Sequence, residues 1–465
     1  MNKYKYLFKN IGLLTLSNFA TKLLSFFLVP LYTNILTTTE YGTYDLFNST
    51  IGVLLPILTL NIQEAVLRFS IDKKKSRDPI VSISAKYLII SNVIVAMGLC
   101  GNKLLNFSPI VNQYALLFFL MFFVQSLSGV MSSYIRGIDR VTDLSISSVI
   151  TSIVTIACNI VFLVGFKWGL IGYFVANIIG PLTQCIYLIF RSNYIKHIKL
   201  TKYSLEEKEM TTYSKPLIAN SIAWWVNNVS DRYIIVFFCG LAENGIYSVA
   251  GKIPSILNIF QNIFNQAWTL SAVREFDSED KDGFFSNTYK VYNCLMTIIC
   301  SGIILLDKPL AKFLYAKDFY VAWRYVPWLT IAILFGALSG YVGGFFSAVK
   351  DSKIFATSTT VGAVVNLILN FIFTPFYGAM GAAFATAISY LLVWVFRFYQ
   401  SQKYITLRVN IKRDIISYIF LGLQAVTMLI SEGSIMYIFM GVLFVVICLI
   451  YMKDIKLVIN KILRR

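Results

Sequence analysis

Apolar positions in this chain come in long unbroken runs. Runs of spanning length recur at 11–33, 42–66, 80–101, 113–135, 143–165, 169–190, 216–238, 246–270, 287–306, 326–348, 354–374, 378–399, 414–431 and 434–452. A helix needs about 20 such residues to cross a hydrocarbon layer of roughly 30 Å. Strand-like alternation is absent, and a helix satisfies its own backbone in lipid. The pattern therefore predicts an all-α integral membrane protein of about 14 transmembrane helices, the last two the least polar. The first run follows a basic "MNKYKYLFKN" without a small-residue cleavage site, so it reads as a retained helix and not a removed signal peptide.

Composition agrees. The chain is 57% hydrophobic and only 14% charged, where soluble domains carry about a quarter. The net charge of +18 would suggest nucleic acid in a soluble protein, but no aromatic-basic motif accompanies it. The basic residues sort by side instead. With the N-terminus inside, inside segments hold 30 Lys and Arg and outside segments 6, which puts both termini in the cytoplasm. The seven cysteines lie in apolar stretches, form no CxxC, and read as small core residues; the single His197 sits in a basic loop without an evident partner.

The longest polar loop, "RSNYIKHIKLTKYSLEEKEMTTYSK" (191–215), follows the sixth span and reads as a hinge between two halves. The predicted organisation is a six-helix lobe at 1–200, a cytoplasmic linker at 201–213, a second six-helix lobe at 214–400, and two extra helices with a basic tail at 401–465. An internal echo supports this. "TEYGTYDL" (Glu40, Gly42, Tyr44) opens the second span and "AENGIYSV" (Glu243, Gly245, Tyr247) the eighth. Asn159 and Phe162 before "GLIG" (169–172) are matched by Asn370 and Phe373 before "GAMG" (378–381). Six helices per half give parallel repeats, with a site expected between them.

Polar residues inside the spans carry the functional signal. Thr15, Asn18, Lys22 and Ser25 form one stripe on the first helix. Asn220, Trp224, Asn227 and Asp231, with Arg232 adjacent, line a face of the seventh, and Ser248, Lys252, Ser255, Asn262 and Gln266 a face of the eighth. Asp45, Asn48, Thr59 and Gln63 share a side of the second, with Glu64 and Arg68 toward its inner end. A charge at mid-bilayer costs about 2.5–3.5 kcal/mol on insertion scales, so Lys22 and Lys252 need a carboxylate or water. Two readings stand: interhelical hydrogen bonding with Asp231 pairing either lysine, or a cationic water-filled cavity for an anionic head group. Arg68 and Lys86 near the ends can snorkel. Pro254, two residues after Lys252, suggests a kink, and Pro30, Pro56 and Pro327 lie in or near other spans.

Other chemistry is missing. "GIYSVAGKI" (245–253) lacks the spacing and the Ser/Thr of a phosphate-binding loop, so transport would be secondary or passive. "DSEDKD" (277–282) reads as a solvated turn.

"GLLTLSNFATKLLSFFLVPLYTNILTTTEYGTYDL" (12–46) resembles the opening of the Wzx-type oligosaccharide flippases of the multidrug/oligosaccharidyl-lipid/polysaccharide (MOP) superfamily. The likeness covers the chain as architecture, and at residue level is specific over about 12–70 and 245–252. It implies two six-helix lobes in a V shape. It also implies movement of undecaprenyl-diphosphate-linked oligosaccharide from the inner to the outer leaflet of the bacterial cytoplasmic membrane by alternating access. Lys22 falls at the family's basic position in helix 1 and Lys252 at a comparable one in helix 8, with Asn18, Ser25, Asp45, Arg68, Asn227, Asp231 and Arg232 as further cavity lining. The chain departs in having Asn18 and Thr21 near Lys22 in place of an acid, which Asp231 would supply. No cofactor is implied, and H+ or Na+ coupling stays open. The implied partners are the lipid-linked oligosaccharide, membrane lipid, and polysaccharide polymerase and chain-length proteins. A lipid II flippase shares this chemistry; a multidrug/cation antiporter would place acids in the cleft. An integral polymerase would carry a long outside loop with catalytic Arg or His, whereas 307–325 holds no His.

Overall fold

A computed structural model describes residues 26–72, 76–274, 276–349 and 351–456. Among them there is no strand. The helices are α1 (Val29–Ile35), α2 (Thr38–Leu58), α3 (Ile62–Ser70), α4 (Arg77–Leu105), α5 (Pro109–Gln113), α6 (Ala115–Gly137), α7 (Val141–Asn159), α8 (Gly169–Ser192) and α9 (Ser204–Cys239). They continue as α10 (Leu241–Ala250), α11 (Ser255–Arg274), α12 (Phe284–Leu305), α13 (Asp307–Leu314), α14 (Val326–Ala348), α15 (Ser352–Ser401), α16 (Ile411–Ile430) and α17 (Gly433–Ile450). The chain is a multi-pass membrane protein. Among the described residues nine helices are long and apolar enough to span, and the α2–α3 pair is a tenth, bent by 62°. One of the nine, α15, is two spans joined at Gly378, whose φ of 59° is outside the helical region.

Several expected elements differ. Residues from Ser204 on, expected as linker, already belong to α9, because no helix breaker precedes Pro216 and Glu206 and Glu207 suit its first turn. The second span breaks at Leu60 and Asn61, both at positive φ, four residues past Pro56. The eighth breaks at 251–254, where Pro254 has no N–H to continue the ladder. The outside loop 307–325 is mostly helical, as α13 and the 3-10 turn Lys317–Arg324. Cys100 is exposed, unlike the buried Cys185, Cys294 and Cys300.

The chain forms two compact units, the first ending at Trp225 and the second starting at Val226. The first holds two apolar clusters, one around Val66, Val81, Met131 and Tyr134, the other around Phe47, Phe118, Phe122 and Phe174. In the second, Trp268 stacks on Tyr341 at 4.1 Å and donates its indole N–H to the Tyr341 carbonyl at 2.8 Å.

Each unit repeats one corner. Asn159 donates to Thr155 O at 2.8 Å, and Asn370 to Asn366 O at 2.9 Å. Gly169 and Gly378 then turn the chain at φ 55° and 59°, a conformation favouring glycine. Three residues on, a Cβ at Gly172 would stand 3.0 Å from the Phe162 Cβ, and one at Gly381 2.5 Å from the Phe373 carbonyl oxygen. Both helices thus press against the end of the preceding span.

Residues 193–207, which lead into α9, are riveted to α4. Asp78, Ser82 and Lys86 lie four apart, on one face of that helix. Asp78 Oδ1 meets His197 Nδ1 at 2.6 Å, so the histidine expected to lack a partner has one 119 residues away. Ser82 donates to His197 O at 3.2 Å and accepts from Lys199 N–H at 2.8 Å. Lys86 donates to both Glu207 oxygens at 2.7 and 2.9 Å, and Tyr87 adds a third bond at 3.0 Å. These donors hold the Glu207 carboxyl below its ordinary range.

Candidate functional site

The polar residues concentrate on two spans. α9 and the α10–α11 pair are not among the helices apolar enough to cross a bilayer on composition, although both have the length. Such helices survive in a membrane where their polar faces meet protein or water.

In the second unit this polarity is organised around α9. Asn227 and Asp231 lie four apart, one turn above the other. Asn227 donates to the Thr359 carbonyl at 3.0 Å. Asp231 accepts from Tyr247 Oη of α10 at 2.5 Å and from the Arg232 N–H at 2.9 Å. Neighbouring Asn228 accepts from Tyr390 at 2.8 Å. The face predicted from sequence is therefore wired both to α10 and to α15.

Thr359 leads to a residue that sequence reasoning missed. Arg397, at the end of the run 378–399 and one of the 30 Lys and Arg counted as inside, is 6% exposed. Its Nε donates to Ser358 Oγ at 2.8 Å, its Nη2 to Thr359 Oγ1 at 2.9 Å and its Nη1 to Ser339 O at 3.2 Å. The guanidinium lies 4.3 Å from the centroid of the Phe355 ring. Among the described residues no carboxylate pairs with it. The sequence gives one weak signal, an Arg directly continuing an apolar run.

Lys252 sits in the break between α10 and α11. Its backbone is held in a turn, with its N–H to Val249 O at 2.9 Å and its carbonyl accepting from Ser255 Oγ at 2.6 Å. The ammonium makes no ion pair among the described residues, so Asp231 is not its counter-ion there; the other pairing open to Asp231, with Lys22, lies outside the described residues. A broken span frees backbone groups and places a charge where an unbroken helix would not.

The first unit holds a separate polar set. Asn61, in the α2–α3 break and 2% exposed, donates to Ser221 Oγ at 3.2 Å. Trp225 donates to Ser49 O at 2.9 Å, and Gln125 to Asn48 at 3.0 Å. Asp45 is buried in α2, and Arg68 is exposed in the last turn of α3. Asn18, Lys22 and Ser25 lie outside the described residues.

The acidic loop 277–282 makes helix-start chemistry. Asp280 accepts the N–H groups of Phe285 and Ser286, both at 2.9 Å, at the head of α12. Asp277 accepts from Glu279 and Lys281 N–H at 3.1 and 2.9 Å, which holds its carboxyl below the ordinary range.

Comparison with known proteins places this architecture. The fold matches the lipid II flippase MurJ in an inward closed conformation: TM-score 0.71, 16% identity, 97% of this chain and 99% of that one. An inward-facing MATE multidrug resistance transporter of the MOP superfamily matches at TM-score 0.66 and 14% identity, over 84% and 94% of the chains. In sequence, the chain is 23% identical over 247 residues to a probable low-salt glycan biosynthesis flippase, Agl15, of Haloferax volcanii. That alignment takes in 51% of this chain and 52% of the relative, so the chain spans about half the length of the curated relative it matches. Residues 7–270 match the family described as "polysaccharide biosynthesis protein", and the chain belongs to that family.

Proposed function

We propose that this protein is a flippase that carries polyprenyl-diphosphate-linked oligosaccharide repeat units from the inner to the outer leaflet of the bacterial cytoplasmic membrane. One observation carries the reading: the seventh and eighth spans are too polar for lipid, Lys252 stands in the eighth, Arg397 is buried in α15 on the Thr359 that Asn227 of the seventh also bonds, and neither cation has an ion-pair partner among the described residues. A diphosphate bears several negative charges and cannot enter hydrocarbon bare, and a hydrated sugar chain cannot either. Cationic and amide side chains replace part of the water lost by the head group, while the polyprenyl tail stays in lipid. Lys252, at a helix break, is free to follow the phosphates as the segment moves; arginine offers a planar fork for phosphate oxygens. Alternating access would present these groups to each side of the membrane in turn. The family membership and the glycan flippase relative support the oligosaccharide over an organic cation. The Lys/Arg bias supports cytoplasmic termini.

The test is mass spectrometry of polyprenyl-linked saccharides in a strain lacking the gene. Complete repeat units should accumulate on the inner leaflet. The intact gene should clear them, Lys252→Arg should clear most, and Lys252→Ala at equal protein level should not. Without accumulation the flippase reading falls; clearance by Lys252→Ala removes that residue from the mechanism.

A further inference from the structure

Asp307 opens α13 directly after the end of α12, at the corner that the Lys/Arg bias assigns to the outside. It is fully buried, at 0% exposure. Neither carboxylate oxygen meets a hydrogen-bond donor among the described residues. The adjacent cation is within electrostatic reach but makes no ion pair with it: Lys308 Nζ lies 4.3 Å from the Trp323 ring centroid and 3.4 Å from Met436 Sδ. On α17, Tyr437 stands within electrostatic reach of the carboxyl, and Tyr320 within reach of Tyr437. The 3-10 turn packed on α13 carries Lys317, Asp318, Tyr320 and Arg324, while 302–306, at the end of α12, carry no titratable group.

An ionised carboxylate in this place would bear a desolvation cost that the charge of Lys308 offsets only in part, so the neutral acid is the form the site favours. Burial pushes the Asp307 carboxyl well above the ordinary carboxylate range. A metal ion fits poorly. Hard cations take several oxygen ligands, and the described residues hold no group of three His, Cys, Asp or Glu side chains that could share one.

We propose that Asp307 is a proton-binding site, loaded as the neutral acid in this conformation and emptied when the α12–α13 corner opens to water, so that a proton gradient enters the transport cycle here. Loading adds one proton from water to one carboxylate oxygen, and unloading returns it; no other bond changes. Only the coupling to transport rests on the flippase reading.

Asp307→Asn keeps the shape of the neutral acid, so the variant should fold. Infrared spectra of the purified full-length protein at neutral pH should show a protonated-carboxyl C=O band in the wild type that Asp307→Asn lacks. Identical spectra in that region overturn the proposal. Folding favours the protonated form, so the wild-type melting temperature should fall as pH rises above the ordinary carboxylate range, and Asp307→Asn should lack that component. Parallel curves also overturn it. In cells, Asp307→Asn should export more slowly than the wild type, and collapsing the pH gradient should bring the wild type down to that lower rate without slowing the variant further; full export by Asp307→Asn, or an equal response to the collapse, refutes the coupling. If the wild type exports nothing, the flippase reading fails, and the infrared and melting data still decide the proton site.

Discussion

Arg397 sets two substitutions against intuition. Three bonds donated by a charged group are worth about 1.5–3 kcal/mol each, or roughly 4.5–9 kcal/mol together, and an aromatic face adds about 2 kcal/mol when desolvated. Against this stands the cost of burying a guanidinium without a counter-ion, several kcal/mol after relaxation. The two sides are of the same order. Arg397→Met removes both, and it strands little: Ser358 and Thr359 still donate their hydroxyls to Phe355 O at 2.8 and 2.9 Å. Ser339 O is a main-chain carbonyl inside α14, with its own helical partner four residues on. Arg397→Met should therefore change stability by less than about 2 kcal/mol. Arg397→Lys should cost more, about 3–5 kcal/mol, because an ammonium stays buried and cannot reach three acceptors on two helices. Thermal unfolding of the purified variants reads the order, and clearance of lipid-linked saccharides reads function. Arg397→Met should be folded and inactive. If Arg397→Lys proves the more stable, the charge balance is wrong; if Arg397→Met exports normally, the cation has no part in transport.

Two further outcomes follow from the fold. The Glu207 carboxyl is held below its ordinary range by Lys86 and Tyr87, so its contribution is present above the ordinary glutamate range and lost as pH falls through the lowered value. Half of Lys86 is exposed, so Glu207→Gln should cost no more than about 1 kcal/mol and should flatten that acid limb of a melting-against-pH curve. Gly381→Ala would set a Cβ against the Phe373 backbone, where no flexible side chain can yield, and should lower stability by about 1–3 kcal/mol. Unchanged melting of Gly381→Ala would mean that the corner is loose.

The register of the spans and the repeated glycine corners were legible in the sequence, since hydropathy and paired Asn, Phe and Gly positions report directly on lipid and close packing. The eighth span's break was legible too, from Pro254. The second span was less so: Pro56 sits inside α2, and the chain turns only at Leu60 and Asn61. Residues whose meaning depends on distant partners were not legible. His197 meets Asp78 through tertiary folding. Arg397 and Asp307 lie where an apolar run stops, and a charge count treats any such residue as loop. Only the packing of α13, α14 and α15 shows that both are buried.

The polarity of α9 also bears on how the chain enters its membrane during synthesis. Charged residues such as Asp231 and Arg232 cost about 2.5–3.5 kcal/mol each at the centre of a helix surrounded by lipid. A seventh span released alone into the bilayer would be a poor guest. Its early residues, however, have ready partners in segments already made: Ser221 meets Asn61 and Trp225 meets Ser49. The earlier helices would then act as a template that draws this span out of the insertion machinery, and trimming Asn61 or Ser49 would show first as a topology defect in the nascent chain.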